Sequence, residues 1–242
     1  MAETGAMKRT PLWKSIAGTL TGDIAEGRYG PGDKLPTEAE LSARFGVNRH
    51  TVRRALSALA EQGLTHARRG AGVFVTQSPT EYPIGRRVRF HQNLRAAGRL
   101  PSRRILAGTT RAADSREAEA LRLAPGAPVH VSEGMSLADG QPMALFRSVF
   151  PAERFPGLLD KLAETGSVSV ALAGYGVADF TRASTRLTAK RATATQALQL
   201  RLAEGDPILR TVGINVDAQG TPVEFGHTWF AGDRVTLTLA DS

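Results

Sequence analysis

The residues of this sequence most able to bind a charged ligand or polymer are arginines grouped with small polar partners. Two such groups stand in the first third of the chain: Arg49, His50, Thr51 and Arg53, followed by Arg68, Arg69 and Gly70. A guanidinium group forms paired hydrogen bonds with phosphate oxygens or with the acceptor edge of guanine. Solvated surfaces carry the same residue types, so the elements that position these side chains decide between a binding site and an ordinary surface.

Three short helices are predicted around the first group. Apolar residues recur every four positions and predict a first helix over 12–26: Leu12, Ile16, Leu20 and Ile24. The run Thr37-Glu38-Ala39-Glu40 has the pattern of a capping box and begins a second helix that reaches Phe45. Asn48 then closes a glycine turn and caps a third helix over 49–62. Two helices joined by such a turn are typical of a helix-turn-helix.

The third helix places the first arginine group on its outer side. Its apolar residues form one stripe, and Arg49, His50 and Arg53 lie opposite that stripe. Two β-prone runs flank residues 68–72, which predicts a hairpin with a basic tip. A helix-turn-helix followed by a hairpin is a winged helix, and the start of its second helix contacts base edges in DNA. We therefore interpret both groups as DNA-binding residues rather than as solvated surface.

Composition limits the other possibilities. The chain has 242 residues, which allows one large domain or two small ones. Its 31 Lys and Arg exceed its 23 Asp and Glu and leave a net charge of +8, which favours an anionic partner. The absence of cysteine excludes a disulfide scaffold and thiol catalysis. No apolar run approaches the ~18 residues of a membrane span, so we expect a cytoplasmic protein without membrane association.

The first part of the chain resembles the N-terminal domain of GntR-type bacterial transcription regulators. The residues that carry the resemblance are Pro11-Leu12-Trp13, Gly27, Pro31-Gly32-Asp33, Leu35-Pro36-Thr37-Glu38, Phe45-Gly46-Val47-Asn48-Arg49, Thr51-Val52-Arg53, Gly70, Gly72 and Phe74-Val75. The resemblance implies DNA contacts from Arg49, Thr51 and Arg53, and from Arg69 and Gly70 at the wing tip. The family usually has Ser or Thr at the position of Asn48, and all three residue types cap helices.

The second part of the chain contains an internal repeat with an offset of 79 residues. The matched pairs include Leu123-Ala124 with Leu202-Ala203, Gly126 with Gly205, Pro128-Val129 with Pro207-Ile208, and Gly134 with Gly213. Each copy has the pattern strand, helix, strand, turn, strand, and Asp139-Gly140 supplies one hairpin turn. We therefore predict an α+β domain with a largely antiparallel sheet and internal pseudo-symmetry. Chance similarity between two hairpins is the alternative.

The two copies differ on one predicted strand, and this difference suggests a ligand site. The aligned positions are Arg182, Ser184, Arg186 and Thr188 in the second copy, and Arg103, Ile105, Ala107 and Thr109 in the first. Alternation along a strand predicts that Arg182, Ser184, Arg186 and Thr188 share one face. A face with two arginines and two hydroxyls suits a phosphate-like oxyanion. A solvent-facing strand is the alternative.

The second part also resembles the effector-binding (UTRA) domain of the HutC branch of the GntR family, whose fold is like that of chorismate lyase. The resemblance rests on Asp139-Gly140, Pro142-Met143-Ala144, Phe150-Pro151, Gly166-Ser167, Tyr175-Gly176-Val177, Thr185-Arg186, Thr188-Ala189, Glu224 and Asp233-Arg234. Within the branch, residues 150–156 and 179–182 are most similar to phosphonate-metabolism repressors of the PhnF type. The resemblance implies an effector site that includes Ser167, Glu224 and the loop Arg89-Phe90-His91.

One departure from the branch bears on the effector. Sugar-phosphate-sensing members grip the phosphate with two arginines on the strand before the Asp-Gly turn. This chain has Gly134 and Ser136 at about those positions. An effector other than an amino-sugar phosphate is therefore favoured.

These inferences together predict a flexible tail over 1–9, a winged helix-turn-helix DNA-binding domain over 10–77, a linker over 78–83, and an effector-binding and dimerisation domain over 84–242. The expected function is a homodimeric repressor whose binding to double-stranded operator DNA is controlled by a small anionic effector. A phosphonate or phosphate compound is the first expectation, and an amino-sugar phosphate or urocanate is the alternative. The effector pocket is expected to join Arg182, Ser184 and Arg186 to residues 89–91, with Ser167 and Glu224 at its walls.

The sequence gives less support to two other classes of protein, an enzyme and a DNA-binding protein that takes no ligand. The five histidines show no metal-ligand spacing and the chain has no nucleophile motif, so we expect no enzyme activity, no catalytic residue, no metal and no cofactor. Gly70 and Gly72 lack the third glycine and the following helix of a phosphate-binding loop. A DNA-binding protein that takes no ligand would differ from the expected repressor only in showing no ligand-induced change in DNA affinity.

Overall fold

A computed structural model describes residues 11–68, 70–77, 79–87 and 90–239 of the chain. The chain forms two units that divide between residues 78 and 79, and each unit has its own hydrophobic core. The tail predicted over 1–9 lies outside the described residues.

The first unit contains three helices in the order of a helix-turn-helix motif. They are α1 (Leu12–Ala25), α2 (Glu38–Phe45) and α3 (Arg49–Glu61). The capping box of α2 is present, since the Thr37 hydroxyl accepts from the Glu40 N–H and the Glu40 carboxylate accepts from the Thr37 N–H. Gly46 ends α2 with φ at +63°, a left-handed conformation that glycine adopts readily. The three predicted helices are confirmed to within one residue at their ends.

A buried carboxylate ties the helices of the first unit together. Asp23, near the end of α1, is only 4% exposed. Its two oxygens lie 2.8 Å from a guanidinium nitrogen of Arg28 and 2.8 Å from one of Arg44 on α2. A carboxylate is stable in such a position only when it is paired. The fully buried side chains around which the helices pack are Leu20, Leu41, Val52 and Leu59.

The predicted wing is present as an antiparallel hairpin of β1 (Thr65–Arg68) and β2 (Gly72–Val75). The loop between α1 and α2 pairs with its second strand. In this pairing the N–H of Leu35 donates to the carbonyl of Val73 at 2.8 Å. The wing is therefore anchored to the helical part of the unit through backbone hydrogen bonds.

The second unit is an α+β structure. Its helices are α4 (Phe90–Ala96), α5 (Ser115–Leu121), α6 (Leu158–Thr165), α7 (Val168–Ala173) and α8 (Ala194–Leu200). Its strands are β3 (Thr80–Pro83), β4 (Pro101–Ala112), β5 (Pro128–Ala138), β6 (Gln141–Pro151), β7 (Thr181–Arg191), β8 (Pro207–Val216), β9 (Pro222–Ala231) and β10 (Val235–Thr238).

Six of these strands form one antiparallel sheet in the order β4-β5-β6-β9-β8-β7. The two halves of this sheet are the two predicted repeats, and they meet where β6 pairs with β9. Helix α5 packs on β9 and helix α8 packs on β6, so each repeat's helix contacts a strand of the other repeat. The predicted pattern of each copy and the antiparallel sheet are confirmed.

Local geometry repeats with the same offset of 79 residues. Asp114 caps α5 and Thr193 caps α8, each in a capping box closed by the residue three positions later. The two helices end at Arg122 and Arg201, with φ at +54° and +53°. This conformation costs a non-glycine residue about 1 kcal/mol or more. A shared unfavourable geometry at equivalent positions argues for a structural duplication rather than chance similarity.

The structure differs from the predicted linker over 78–83. Residues 80–83 form β3, which pairs in parallel with β10 at the other end of the second unit. Thr80 and Tyr82 are buried whereas Glu81 and Pro83 are exposed, which is the alternation of a strand with one face on a core. Pro83 stands at the end of the strand, where a missing N–H interrupts no ladder. Ser78 lies outside the described residues.

No helix in the described ranges is both long enough and apolar enough to cross a membrane. The same residues contain no group of three or more His, Asp or Glu side chains placed to hold a metal ion.

We expect Asp23→Asn to lower the free energy of unfolding of the first unit by about 2 kcal/mol, because it removes the charge of a buried carboxylate that forms ion pairs with two arginines. Urea unfolding followed by tryptophan fluorescence measures the change, since Trp13 packs against this core. Glu26→Gln is the control. It makes the same charge change at an exposed acid 3.9 Å from Arg28 and should have little effect. Equal stability of the two variants would contradict the role of Asp23.

Candidate functional site

The outer face of α3 carries the residues predicted to contact DNA. Arg49, His50 and Arg53 are exposed, while the apolar side of the helix faces the core. Asn48 caps the helix, because its Oδ1 accepts from both the backbone N–H and the hydroxyl of Thr51 at 2.9 Å. The Thr51 hydroxyl proton is engaged in the cap, so its oxygen is left to accept. The cap fixes where α3 begins and therefore which side chains its first turn presents.

Arg53 is held in one orientation by Glu38 at the start of α2. Its Nε and Nη2 donate to the two carboxylate oxygens at 3.1 and 2.9 Å. These bonds keep the pKa of Glu38 below its usual value. An exposed pair of this kind adds little stability, but its forked geometry sets the direction of the guanidinium group.

The wing supplies further basic residues. The guanidinium of Arg68 lies over the ring of Phe74, with its Cζ 4.3 Å from the ring centroid, and its Nε is 3.2 Å from Nε2 of His66. Gly70 is exposed with φ at +73°, a conformation that the tight tip requires and that favours glycine. Arg69 lies outside the described residues.

The second unit contains a cavity of about 270 Å³ on one face of the six-stranded sheet. This volume is below the ~300–1,000 Å³ of sites for drug-sized ligands, so the cavity suits a small molecule. Side chains from β3, α4, the start of α7 and the sheet meet at its wall. Those with polar or aromatic groups include Tyr82, Phe90, His91, Arg103, Ser167, Arg182 and Glu224.

Two arginines reach the cavity from the two edge strands, Arg103 from β4 and Arg182 from β7. Burial lowers the pKa of both guanidinium groups, and Glu224 and Tyr82 partly oppose that shift. Among the described residues, none forms a hydrogen bond or an ion pair with either guanidinium group, and both Nε atoms are buried without a partner. A buried N–H group without an acceptor is unfavourable, so two half-buried guanidinium groups in this arrangement suit an anionic ligand.

One carboxylate faces the same cavity. The hydroxyl of Ser148 donates to Oε1 of Glu224 and the side-chain amide of Asn215 donates to Oε2, both at 2.6 Å. Each oxygen can still accept another hydrogen bond. Burial raises the pKa of nearby Tyr82 to about 12, so its hydroxyl stays protonated at neutral pH. With Arg103 and Arg182, this part of the cavity has a formal charge of about +1.

Three other predicted effector residues, Phe90, His91 and Ser167, also line the cavity. Burial and the nearby Arg103 lower the pKa of His91, which keeps its imidazole neutral near pH 7. The hydroxyl oxygen of Ser167 accepts from the N–H of Val170 at 3.4 Å, so its proton is left to donate. Arg89 lies outside the described residues.

Ser184 and Arg186 do not share the face of Arg182, so this part of the predicted site is wrong. Both side chains are exposed and neither lines the cavity. The reason is a bulge in β7, where Arg182 pairs with Asn215 and Ser184 pairs with the adjacent Ile214. The extra residue shifts the alternation by one position. Thr185 consequently lies on the cavity side.

Sequence reasoning missed several cavity residues, notably Arg103 and Tyr82. A signal for Arg103 was present, because it stands 79 positions before Arg182 and is identical to it. Because Arg103 and Arg182 are identical, the differences between the two copies do not single out this position. Tyr82 lies in the segment predicted to be a linker, where no pattern longer than four residues indicates a strand.

Comparison with known proteins follows the division into two units. Residues 12–75 match the family model described as bacterial regulatory proteins, gntR family, and residues 96–236 match the UTRA domain. An uncharacterised HTH-type transcriptional regulator of Rhizobium meliloti, RB1450, is 39% identical over 229 residues, which cover 94% of each chain. The probable transcriptional regulator PhnF of Escherichia coli is 31% identical over 228 residues, again 94% of each chain.

A solved structure has the same fold over both units. The crystal structure of PhnF from Mycobacterium smegmatis matches with a TM-score of 0.66 and 27% identity, and the match covers 94% of this chain and 99% of that chain. The matched families and relatives are regulators of transcription and not enzymes. The chain therefore belongs to the GntR family of bacterial transcriptional regulators and carries a UTRA domain after its winged helix.

Proposed function

We propose that this regulator is a repressor that binds operator DNA through its winged helix and responds to a small anionic ligand in the cavity of its UTRA domain. The observation that carries the proposal is a pair of half-buried arginines at the wall of that cavity, Arg103 and Arg182, whose buried Nε atoms have no hydrogen-bond partner among the described residues. A DNA-binding face and a ligand cavity are the two sites that ligand-controlled DNA binding requires. Because it acts on the chromosome, we place the protein in the cytoplasm.

A phosphonate or phosphate compound is the ligand class that we favour. The formal charge of the cavity supports an anion, and the resemblance of residues 150–156 and 179–182 to phosphonate-metabolism repressors supports this choice. In our proposal Arg182 binds the oxyanion and Ser167 donates to it. Glu224 accepts from an amine or hydroxyl of the ligand. An amino-sugar phosphate and urocanate are the competing ligands to include in a screen.

For DNA, we propose contacts from α3 and from the wing. The residues are Arg49, His50, Thr51, Arg53, Arg68, Arg69 and Gly70. Those on α3 lie in its first two turns, the part of a recognition helix that reaches base edges in the major groove. Base-edge contacts carry specificity and phosphate contacts carry affinity and salt dependence.

Arg49→Ala and Arg53→Ala should each weaken binding to the operator by about 1–3 kcal/mol, the cost of losing an arginine that reads a base. Fluorescence anisotropy with a labelled operator fragment measures the loss. Both side chains are exposed, so the melting temperature should stay unchanged. Arg104→Ala is the matched control, because it removes the same charge from an exposed position of the second unit. Wild-type operator affinity in both variants would rule out α3 as the recognition helix.

We also propose that the protein binds as a homodimer to an inverted repeat. A two-fold dimer presents its recognition helices to symmetric half-sites, which lie about 34–36 Å apart or at multiples of that distance. Footprinting should show two protected half-sites, and sedimentation of the complex should give two chains per operator. Affinity should fall steeply with salt as counterions leave the phosphates. One chain protecting one asymmetric half-site would contradict the proposal.

A thermal-shift screen with phosphonates, phosphate esters, amino-sugar phosphates and urocanate tests the ligand. At 100 times its dissociation constant a ligand of the folded protein adds ~2.7 kcal/mol to the free energy of unfolding. The same compound should change operator affinity when it is added to the anisotropy assay. If ligands that stabilise the protein leave operator affinity unchanged, the protein is a DNA-binding protein without ligand control and the proposal fails.

A further inference from the structure

The two half-buried arginines of the cavity occupy equivalent positions in the two repeats. Arg103 and Arg182 are 79 residues apart, the offset that relates the copies, and they approach one cavity from opposite edges of the sheet. Both guanidinium groups lie near the same two groups, the carboxylate of Glu224 and the phenol of Tyr82. The site therefore has an approximate two-fold character that neither repeat has alone.

Each guanidinium group reaches inward over the neighbouring strands. The Cζ of Arg103 lies 4.6 Å from the ring centroid of Phe146 on β6 and 5.4 Å from that of Phe90. Arg182 lies against Gly213 on β8, where a Cβ atom would come within 1.7 Å of its Nη1. The guanidinium group of Arg182 therefore occupies the space that a side chain at position 213 would fill, so only glycine fits there.

Arg103 packs on Phe146 of β6 and Arg182 packs on Gly213 of β8. The sheet order β6-β9-β8 places one strand, β9, between these two contacts. Two strand spacings are roughly 10 Å. A tetrahedral oxyanion that accepts from a guanidinium group on each side, at about 2.8 Å, fills a gap of that order. The residue of β9 that pairs with Gly213 is Gly226, which has no side chain of its own. The nearest side-chain group is the carboxylate of Glu224, whose Oε1 lies 3.6 Å from the position that a Cβ atom of Gly226 would take.

We propose that Arg103 and Arg182 form a two-armed clamp that binds one tetrahedral oxyanion, the phosphonate or phosphate group of the ligand, between them. This proposal rests on the proposed function, in which the cavity binds an anionic ligand. It adds Arg103 as a second binding residue and specifies a tetrahedral anion. A tetrahedral group directs oxygens toward both sides at once. A planar carboxylate has only two oxygens. It either gives both to one guanidinium group and none to the other, or spans both groups with a single oxygen each, as Asp23 does with Arg28 and Arg44.

Gly213 is a positioning residue in this proposal. A methyl group at this position displaces the guanidinium group of Arg182 without changing any charge in the cavity. Gly213→Ala should therefore weaken anion binding in the wild-type background. The same change should have no further effect when Arg182 is already alanine, because the displaced group is then absent. A purely structural role for Gly213 would weaken binding in both backgrounds.

Titration calorimetry on the full chain tests the clamp, with methylphosphonate and inorganic phosphate as probes and acetate as the planar comparison. We expect both tetrahedral anions to bind more tightly than acetate. Arg103→Ala and Arg182→Ala should each lose about 10- to 100-fold in affinity, the effect of removing a charged hydrogen-bond donor. The matched controls are Arg104→Ala and Arg186→Ala, which remove exposed arginines from the same two strands. They should bind like the wild type.

The lysine variants keep the clamp testable if an alanine variant fails to fold. Arg103→Lys and Arg182→Lys retain the charge and lose the fork, and each should bind methylphosphonate several-fold more weakly than wild type. Wild-type affinity after either Arg103 substitution, with affinity lost after Arg182 substitution, would leave a one-armed site and overturn the clamp. Equal affinity for acetate and methylphosphonate in the wild type would also overturn it.

Failure of the clamp and failure of the proposed regulation are distinguishable. If methylphosphonate binds through both arginines and operator affinity does not respond to it, the clamp stands and ligand control by that anion fails. If an effector changes operator affinity equally in wild type, Arg103→Ala and Arg182→Ala, the regulatory proposal stands and the clamp is wrong.

Discussion

The antiparallel pairing of β6 with β9 is the interaction on which the second unit depends. It joins the two repeats into one sheet and lets the helix of each repeat pack on a strand of the other, so neither copy buries its own helix alone. The same pairing brings Ser148 of one copy within 2.6 Å of Glu224 of the other. Side chains of both repeats thereby meet on one face, and the cavity is a product of the duplication.

The second notable feature of this unit is the excess positive charge of its cavity, where two arginines face one carboxylate. Replacing a buried ionic group with an apolar residue of similar volume is often neutral or stabilising. Two half-buried arginines without a hydrogen-bond partner among the described residues therefore do not serve stability. Proteins depart from such rules mainly at functional sites. Tyr82 of β3 lines the same cavity, and β3 begins two residues after the division between the units.

In the first unit, a turn, a helix cap and an ion pair position the exposed residues of α3. Gly46 turns the chain, Asn48 caps α3, and the forked pair of Glu38 with Arg53 ties α2 to α3. The turn and the cap are local, and the pair of Glu38 with Arg53 spans 15 positions of the sequence. The buried ion pairs of Asp23 join α1 to α2 across a longer loop and complete the unit.

The sequence by itself determined the three helices, the wing, the repeat and the antiparallel sheet, because periodicity and caps are local properties that short segments express on their own. Five of the eight proposed effector residues, Arg182 and Glu224 among them, also line the cavity. Tertiary structure decided the rest. The bulge in β7 turned Arg186 to solvent, and pairing with β10 made a strand of the expected linker. Arg103 belongs to the site although its strand, β4, lies at the opposite edge of the sheet from β7, the strand of Arg182. Strand register and contacts between distant segments depend on packing across the whole sheet, which alternation along a single strand does not encode.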